Sequence, residues 1–235
     1  MKLTLQERGR RWKNVEEQRF QKIKQTLKHR QPDLTIITEN VHKAHNLSAI
    51  MRTCESVGIM EMHLVNTIVD DIYFDSRVTT GADKWVKTRS HDDIKTGVNY
   101  LKDQGYKIYA AHLSDRSLDY RQFDYTQPTA FLLGAEKFGV SEQAEELVDE
   151  HITIPMMGMT QSLNVSVASA IILFEAQRQR DNKGYYQQMR LDNQVYEKML
   201  FEWTYPKVAL AYQAKNKPYP LLSEQGDIIR PREYS

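Results

Sequence analysis

From Leu34 onward the chain alternates short apolar segments with amphipathic ones, and this alternation limits the possible folds more than any other feature. The predicted strands are apolar throughout: LTIIT (34–38), MHLVN (62–66), KIYAAHL (107–113), AFLLGA (130–135) and ITIPM (152–156). Helical periodicity occurs between and after them, at about 47–57, 92–104, 141–149 and 165–180. Strands without polar alternation are typical of a parallel sheet that helices cover on both faces. The sequence therefore predicts an α/β fold.

Three segments lie outside this pattern. Residues 67–90 lack clear periodicity and contain Gly81, so we expect a mobile loop or an ill-formed element there. Residues 5–29 predict a helix with one apolar face, formed by Leu5, Trp12, Val15, Phe20, Ile23 and Leu27. Near the other end, a helical piece at 193–204 precedes a polar, Pro-containing tail, which we expect to be disordered or to pack on a partner.

The net charge of +1 hides an uneven distribution of charge along the chain. Residues 1–31 carry ten Lys/Arg against three Asp/Glu, and residues 176–235 carry ten against seven. Residues 32–175 between them carry twelve against twenty-one. Clustered cations commonly bind a polyanion such as RNA or DNA, although a basic helix face can also simply be solvated. Charge alone leaves both alternatives open.

Composition narrows the class of protein. The sequence has no apolar run of 18 residues and no charged-then-apolar N-terminus, so we expect neither a membrane span nor a secretory signal. The single cysteine, Cys54, excludes an internal disulfide framework and a zinc site made of cysteines. We therefore expect a cytoplasmic protein.

Three polar loops follow predicted strands, at 39–46, 134–141 and 156–164. Ligands of open parallel sheets bind at the carboxyl ends of the strands, so we expect these loops to converge on one site. The third loop presents Ser162 and Asn164 between a strand and a helix that packing makes rigid. That helix ends in two arginines, which places a basic segment beside the predicted site.

The loop at 134–141 superficially resembles a phosphate-binding P-loop. Gly134 and Gly139 have the required spacing, but Val140 stands where that motif needs its lysine, which argues against an ATPase. No G-x-G-x-x-G is present, so a dinucleotide-binding fold has no support either. The two glycines can simply permit a tight turn, and Glu136 can equally be a helix-entry or salt-bridge group.

Other candidate groups also have a plain structural explanation. Asn46 is placed to cap a helix, and Arg52 within that helix would ordinarily be a solvated or ion-paired side chain. Ser162 lacks the G-x-S-x-G context of a hydrolase nucleophile. No H-E-x-x-H spacing supports a metal site at the histidines His42, His45 and His63.

Taken together, the three loop segments resemble the signature motifs of the SPOUT-type RNA ribose 2′-O-methyltransferases. The segments are NVHKAHNLSAIMRTCESVG (40–58), FLLGAEKFGVS (131–141) and IPMMGMTQSLNVSVASAIILFEAQRQR (154–180). The resemblance covers roughly residues 20–185 and is closest to the branch that modifies guanosine 18 of tRNA. It implies a parallel α/β fold with a deep trefoil knot in its C-terminal half, a homodimer, and S-adenosylmethionine as methyl donor.

The same resemblance implies roles for individual residues. The cofactor would lie against backbone groups at Ala111, Gly134, Ile154 and Leu163. The catalytic residue would be Arg52, with help from Asn46, Glu136, Ser162 and Asn164. Arg52 would either take the hydroxyl proton through a relay or position an RNA phosphate and stabilise developing negative charge. The RNA contacts would be Arg19, Arg30, His45, Arg178 and Arg180.

The implied organisation has three parts: a basic RNA-binding helix (1–31), a methyltransferase domain (32–180) and an extension (181–235). The implied activity is methylation of the ribose 2′-hydroxyl of guanosine 18 in the tRNA D-loop, without a DNA or membrane partner. The first alternative is methylation of ribosomal RNA, which the short segment before the first strand disfavours. The second is a non-catalytic RNA-binding protein of the same fold, which the presence of Arg52, Glu136 and Asn164 disfavours.

Overall fold

A computed structural model of the chain describes residues 5–68, 72–135 and 139–229, with side chains described from residue 16 onward. Contacts divide the chain into two compact units, residues 31–186 and residues 1–30 together with 187–235. The two basic ends of the sequence therefore belong to one unit. The assignment of separate roles to 1–31, 32–180 and 181–235 stays a prediction.

The unit of residues 31–186 is built on a sheet of seven strands. They are β1 (Leu34–Glu39), β2 (Glu61–Val65), β3 (Lys87–His91), β4 (Lys107–Ala111), β5 (Leu118–Asp119), β6 (Thr129–Leu133) and β7 (Glu150–Thr153). Their order across the sheet is β3-β2-β1-β6-β4-β7-β5, and each neighbouring pair is parallel. The predicted parallel α/β architecture is confirmed.

Helices cover both faces of this sheet, as predicted. The helices of the chain are α1 (Leu5–Lys28), α2 (Ala44–Ser56), α3 (Ser76–Thr79), α4 (Ile94–Asp103), α5 (Glu142–Leu147), α6 (Val165–Asn182), α7 (Asn193–Thr204) and α8 (Pro206–Ala214). Successive residues of β1 point to opposite faces. Ile36 joins a core with residues of α2 and α6, whereas Ile37 joins a second core with residues of α4 and α5. Within the described ranges no helix is long and apolar enough to cross a membrane.

Several elements differ from the sequence-based expectations, and the short strand β5 was not predicted. The segment 67–90 was expected to be a mobile loop or an ill-formed element, but its described part contains α3, a 3-10 turn (Ala82–Lys84) and most of β3. β3 has the sequence KTRSH and is largely exposed at the sheet edge, so backbone pairing with β2 forms it without an apolar signal. Helix α8, which begins at a proline in its first turn, was also missed. Helix α2 starts at Ala44, three residues before the predicted start.

Arg180 has a structural position that contradicts its predicted contact with RNA. Its side chain is fully buried at the end of α6. The guanidinium donates to the Asp33 carboxylate at 2.6 Å, to the Gln31 side chain, and to the backbone carbonyls of Asp33, Tyr125 and Gln127. These bonds tie the end of α6 to the segments that lead into β1 and β6. A phosphate cannot reach this group in the folded unit.

We expect Arg180→Lys to lower the free energy of unfolding by about 2 kcal/mol, because one ammonium cannot replace a guanidinium that serves five acceptors. Urea denaturation followed by circular dichroism measures the change. Arg178→Lys on the exposed side of the same helix is the matched control and should leave stability within about 0.5 kcal/mol. Normal stability with weakened tRNA binding in Arg180→Lys would restore the predicted phosphate contact.

A pair of histidines, the buried His63 and the half-buried His91, links β2 to the edge strand β3. The Nδ1 atom of His63 lies 2.9 Å from Nε2 of His91, and the two rings stack with their centroids 5.2 Å apart. His63 is only 3% exposed, and this burial lowers its pKa to about 4. The folded protein therefore resists protonation of His63, while the unfolded chain accepts a proton near the ordinary histidine pKa.

This pair makes stability depend on pH. Between about pH 6.5 and pH 4 the unfolded state binds the additional proton, so stability is present above this window and is lost as pH falls through it. We expect a loss of about 2 kcal/mol between pH 7 and pH 5, measured by urea unfolding at both values. His63→Gln should remove most of this slope, whereas His42→Gln at an exposed site should keep it. An unchanged slope in His63→Gln would assign the effect to other groups.

The second unit is formed by the two ends of the chain. Helix α1 packs on α7, and Phe20, Ile23 and Leu27 form its buried face. The tail folds back within this unit: Gly226 has φ +93°, and an added Cβ there would lie 2.7 Å from the Phe20 ring. The Tyr205 hydroxyl donates to the Gly226 carbonyl at 2.9 Å. The described part of the tail is thus ordered against α1 at Gly226, contrary to the expected disorder, while its contact with a partner stays a prediction.

Two predicted RNA-binding arginines lie in this second unit. Arg30 is fully buried, with its guanidinium carbon 5.1 Å from the centre of the Trp203 ring, which contradicts the predicted phosphate contact. Arg19 is exposed and donates to the carbonyls of Trp203 at 2.8 Å and Thr204 at 3.2 Å, at the end of α7. Long apolar stems and a planar head let arginine fill such structural positions. Only Arg19 of the two remains accessible.

Candidate active site at the carboxyl ends of the central strands

The three predicted loops meet at one edge of the sheet. The Glu39 carboxylate at the end of β1 accepts hydrogen bonds from the Ser141 backbone N–H at 2.9 Å and the Ser141 hydroxyl at 2.6 Å. The Asn164 side chain donates to Oδ1 of Asn46 at 3.3 Å. These contacts join loop 39–46 to loop 134–141 and helix α2 to the end of loop 156–164. The predicted convergence is confirmed.

A cavity of about 260 Å³ lies where β4, β6 and β7 end. Ala111, Gly134, Ile154 and Leu163, the four residues predicted to contact a cofactor, all line it. Its apolar walls include Leu133, Ile152, Val165 and Ile172, and its polar side chains are His112, Thr153, Gln161 and Ser162. An apolar cleft with few polar groups is the usual form of a small-molecule site.

Gly134 and Gly139 build the cavity wall by a close backbone approach. The Gly139 N–H donates to the Ala135 carbonyl at 2.8 Å, and Gly139 has φ +68°. A Cβ added to Gly134 would lie 2.0 Å from the Gly139 carbonyl oxygen, a distance that no side-chain rotation can relieve. The two glycines therefore permit a close approach of the two ends of this loop, and both line the cavity. Glu136 lies outside the described residues.

The predicted catalytic side chains occupy different environments. Ser162 lines the cavity. Asn164 is the N-cap of α6, where its Oδ1 accepts from the Ser166 N–H at 2.9 Å. Asn46 is 4% exposed and lies within the first turn of α2, whereas Lys43 is the N-cap residue, so the simple capping role considered for Asn46 is wrong. The pair Asn46–Asn164 therefore fixes α2 to the entrance of α6.

Arg52 lies on the exposed face of α2 and does not line the cavity. Among residues 16–68, 72–135 and 139–229, no carboxylate forms an ion pair with its guanidinium. An exposed guanidinium without a competing carboxylate can bind an incoming phosphate in a bidentate manner. The cavity, which suits a small molecule, is thus separate from Arg52, which suits an anionic substrate.

The remaining predicted RNA contacts are accessible. His45 is exposed in the first turn of α2. The Arg178 side chain is 60% exposed but forms a bidentate ion pair with Glu175, at 2.7 and 2.9 Å. This neighbouring carboxylate holds the pKa of Arg178 above its usual value and keeps the guanidinium charged. A phosphate would have to compete with Glu175 for it.

Sequence reasoning missed two polar side chains of this site. Glu39 was counted only as part of a polar loop, and His112 as part of a strand. In the structure Nε2 of His112 lies 3.0 Å from the Glu145 carboxylate of α5, and His112 lines the cavity. Both residues stand where an apolar strand ends, which is the signal that could have identified them. In the described part of the chain, no group of three or more potential ligands could hold a metal ion.

Comparison with known proteins places the chain in a family. Residues 33–174 match the model of the SpoU rRNA Methylase family, and residues 178–231 match the model of its C-terminal region. The tRNA (guanosine(18)-2′-O)-methyltransferase of Thermus thermophilus is 52% identical over 187 residues, which cover 80% of this chain and 96% of that protein.

Solved structures agree with this match. The TrmH/SpoU tRNA modifying enzyme of A. aeolicus has a TM-score of 0.77 and 40% identity, covering 83% of this chain and 98% of that one. An AdoMet-bound rRNA methyltransferase from Sinorhizobium meliloti has a TM-score of 0.57 and 26% identity, covering 63% and 60%. The family predicted from the three loop motifs is confirmed, and the chain belongs to the SpoU methylase family.

Proposed function

We propose that this chain is a cytoplasmic enzyme that transfers a methyl group from S-adenosylmethionine to the ribose 2′-hydroxyl of guanosine 18 in the D-loop of tRNA. The observation that carries the proposal is the meeting of the three family motifs at the carboxyl ends of β1, β6 and β7, beside a cavity that the second and third motifs line. The names of relatives at 40–52% identity support tRNA as the substrate.

The cavity suits the proposed cofactor. Its volume of about 260 Å³ is near the lower end of small-molecule sites and fits an adenosine-sized group. The bare backbone at Gly134 and Gly139 can approach a flat ring closely, while Leu133 and Ile172 supply apolar contact. Backbone groups at Ala111, Ile154 and Leu163 would complete the recognition by hydrogen bonds. Recognition by backbone groups requires neither a G-x-G-x-x-G motif nor an acidic side chain that binds the cofactor ribose.

When bound, S-adenosylmethionine supplies an electrophilic methyl group on a sulfonium. The 2′-oxygen would form the new carbon–oxygen bond as the carbon–sulfur bond breaks, which would leave S-adenosylhomocysteine, and the hydroxyl proton would pass to a water molecule or an RNA phosphate oxygen. A guanidinium stays protonated in proteins, so positioning a phosphate and stabilising the developing negative charge is the better role for Arg52. Ser162 and the Asn46–Asn164 pair would orient the ribose, since alignment can supply up to roughly 7–11 kcal/mol.

Charge supports tRNA as the partner. The unit of residues 1–30 and 187–235 carries 17 Lys/Arg against 9 Asp/Glu, a net of +8, while residues 31–186 carry 15 against 22, a net of −7. Phosphate contacts supply most non-specific affinity for nucleic acids. Arg19, His45 and Arg178 are the exposed residues that we retain as RNA contacts. Arg30 and Arg180 are not retained, because both are fully buried.

Transfer of labelled methyl to unmodified tRNA transcripts tests the function, with the modified nucleotide mapped. The matched control is a transcript with 2′-deoxyguanosine at position 18, which lacks only the accepting hydroxyl. We expect labelling of the first transcript and none of the second. Equal labelling of both would exclude this ribose as the target. Labelling of ribosomal RNA fragments alone would favour the rRNA activity that the family description names.

We further propose that the enzyme is a homodimer that buries the exposed stripe of α6. Val167 and Phe174 on this helix are 47% and 51% exposed, and Ile171 lies between them on the same face. Met157 and Met159, in the loop before α6, are 94% and 101% exposed. Contiguous exposed apolar side chains mark interaction surfaces, and a two-fold axis lets one such face pack on its copy.

Phe174→Glu should weaken the dimer by more than about 30-fold, because it would place an unpaired carboxylate at the centre of the apolar stripe. Sedimentation equilibrium at micromolar concentration measures the change. Leu210→Glu makes the same exchange at a 66% exposed site on α8 and should leave the dimer intact. A wild-type monomer, or equal dimerisation of both variants, would contradict this interface.

The deep trefoil knot is also proposed, on the basis of the family resemblance. A strand order in which β7 lies between β4 and β5, both earlier in the chain, is compatible with it. A crystal structure whose backbone path contains no knot would contradict this part of the proposal.

A further inference from the structure

Glu39 ends β1 with a carboxylate to which the proposed reaction gives no role. The residue is only 5% exposed, and its two carboxylate oxygens accept from the N–H and the hydroxyl of Ser141, at 2.9 and 2.6 Å. Burying a carboxylate is costly unless strong donors reach it, and charge-assisted bonds of this length are among the stronger ones. The contact therefore joins β1 firmly to the loop 134–141.

The neighbouring residue fixes the other side of the same turn. Asn40 has φ 56°, and its side-chain oxygen accepts from the Thr67 N–H at 2.8 Å, just after β2. The Asn40 N–H donates to the Val65 carbonyl at 2.8 Å. The turn after β1 is thus attached to the ends of both neighbouring strands. Because this turn is fixed on both sides, Glu39 holds Ser141 at a defined position.

Ser141 fixes the part of the cavity wall that Gly139 forms. Its hydroxyl oxygen also accepts from the Ala144 N–H at 3.2 Å, which caps α5, and Gly139 two residues earlier lines the cavity. From the opposite side, Glu145 of α5 pairs with His112 at the end of β4, at 3.0 Å. Ser141 and the start of α5 are therefore held between the ends of β1 and β4.

We propose that Glu39 is a positioning residue of the methyl-transfer reaction, which holds residues 139–141 of the cavity wall against the cofactor through Ser141. It also links the cavity to the turn from which α2 emerges with Asn46 and Arg52. A carboxylate suits this role because it accepts from both Ser141 donors and leaves the hydroxyl oxygen free to cap Ala144. This inference rests on the proposed function, since S-adenosylmethionine is its cofactor.

Glu39→Ala, Glu39→Gln and Ser141→Ala test the proposal. S-adenosylmethionine binding is measured by calorimetry without RNA, and kcat and KM for tRNA transcripts are measured separately. We expect Glu39→Ala to raise the cofactor Kd at least 10-fold and to lower kcat more than it changes KM for tRNA. Glu39→Gln keeps an acceptor for the Ser141 N–H and should recover binding to within about 3-fold. Glu146→Gln, an exposed carboxylate on α5, is the control.

The double variant Glu39→Ala/Ser141→Ala should bind the cofactor no worse than Glu39→Ala alone, because both changes remove the same contact. Wild-type cofactor affinity and kcat in folded Glu39→Ala would overturn the positioning role. If Glu39→Ala does not fold, normal Kd and kcat in both Glu39→Gln and Ser141→Ala would overturn it instead. A wild-type protein that binds no S-adenosylmethionine would refute the proposed function itself, which this design separates from a failure of Glu39.

Discussion

Gly134→Ala should abolish measurable binding of S-adenosylmethionine, with Kd raised more than about 100-fold. The added Cβ would lie 2.0 Å from the carbonyl oxygen and 2.1 Å from the carbonyl carbon of Gly139, and 2.4 Å from the Val140 nitrogen. All three are backbone atoms, so the segment 139–140 must move. Because Gly139 lines the cavity, this movement changes the wall that the cofactor would contact. Calorimetry on the folded variant measures the loss.

Gly158→Ala is the matched control for this prediction. It makes the same exchange in another loop at this edge of the sheet, but an added Cβ there meets nothing within 4 Å. Affinity for the cofactor should stay within about 2-fold of wild type, since an open site imposes no cavity or strain cost. If Gly134→Ala bound the cofactor as well as Gly158→Ala does, the close approach of residues 134 and 139 would have no part in binding.

The sequence predicted those strands whose burial on both faces of the sheet requires a continuous run of apolar residues. The strands β1, β2, β4, β6 and β7 are apolar because helices cover both faces of the sheet, and all five were predicted. The edge strand β3 was missed because its exposed side chains carry no such pattern, and it is defined by pairing with β2 that includes the His63–His91 contact. The joining of α1 and α7 in one unit was also invisible, since periodicity does not report contacts distant in sequence.

The site, too, has residues that the sequence could identify and residues that it could not. Motif resemblance identified Ala111, Gly134, Ile154 and Leu163, which all line one cavity. It could not distinguish Arg178, which is exposed, from Arg180 two residues later, which is buried against Asp33. The 100° turn of a helix per residue puts such neighbours on different faces, and the sequence gives both the same charge. Glu39 was missed because its partner, Ser141, lies about a hundred residues away.

The separation of Arg52 from the cavity leads to the second large prediction. Arg52→Ala should lower the single-turnover rate of methyl transfer by about 100- to 1,000-fold, the usual cost of removing one group that stabilises developing charge. Affinity for S-adenosylmethionine should stay within about 2-fold of wild type, because Arg52 does not line the cavity. Affinity for tRNA should fall modestly, since one phosphate contact among several is lost.

Arg52→Lys separates the two possible roles of this residue. A lysine keeps the charge but not the planar fork that binds a phosphate in a bidentate manner, so a positioning role predicts a rate nearly as low as that of alanine. A proton-relay role predicts that lysine, which deprotonates more readily, restores much of the rate, increasingly at higher pH. Arg121→Ala, at an exposed arginine that forms an ion pair with its neighbour Asp119, is the control and should retain wild-type turnover. Full activity of Arg52→Ala would show that this residue has no part in the reaction, and Ser162, Asn46 and Asn164 would then be the residues that orient the ribose.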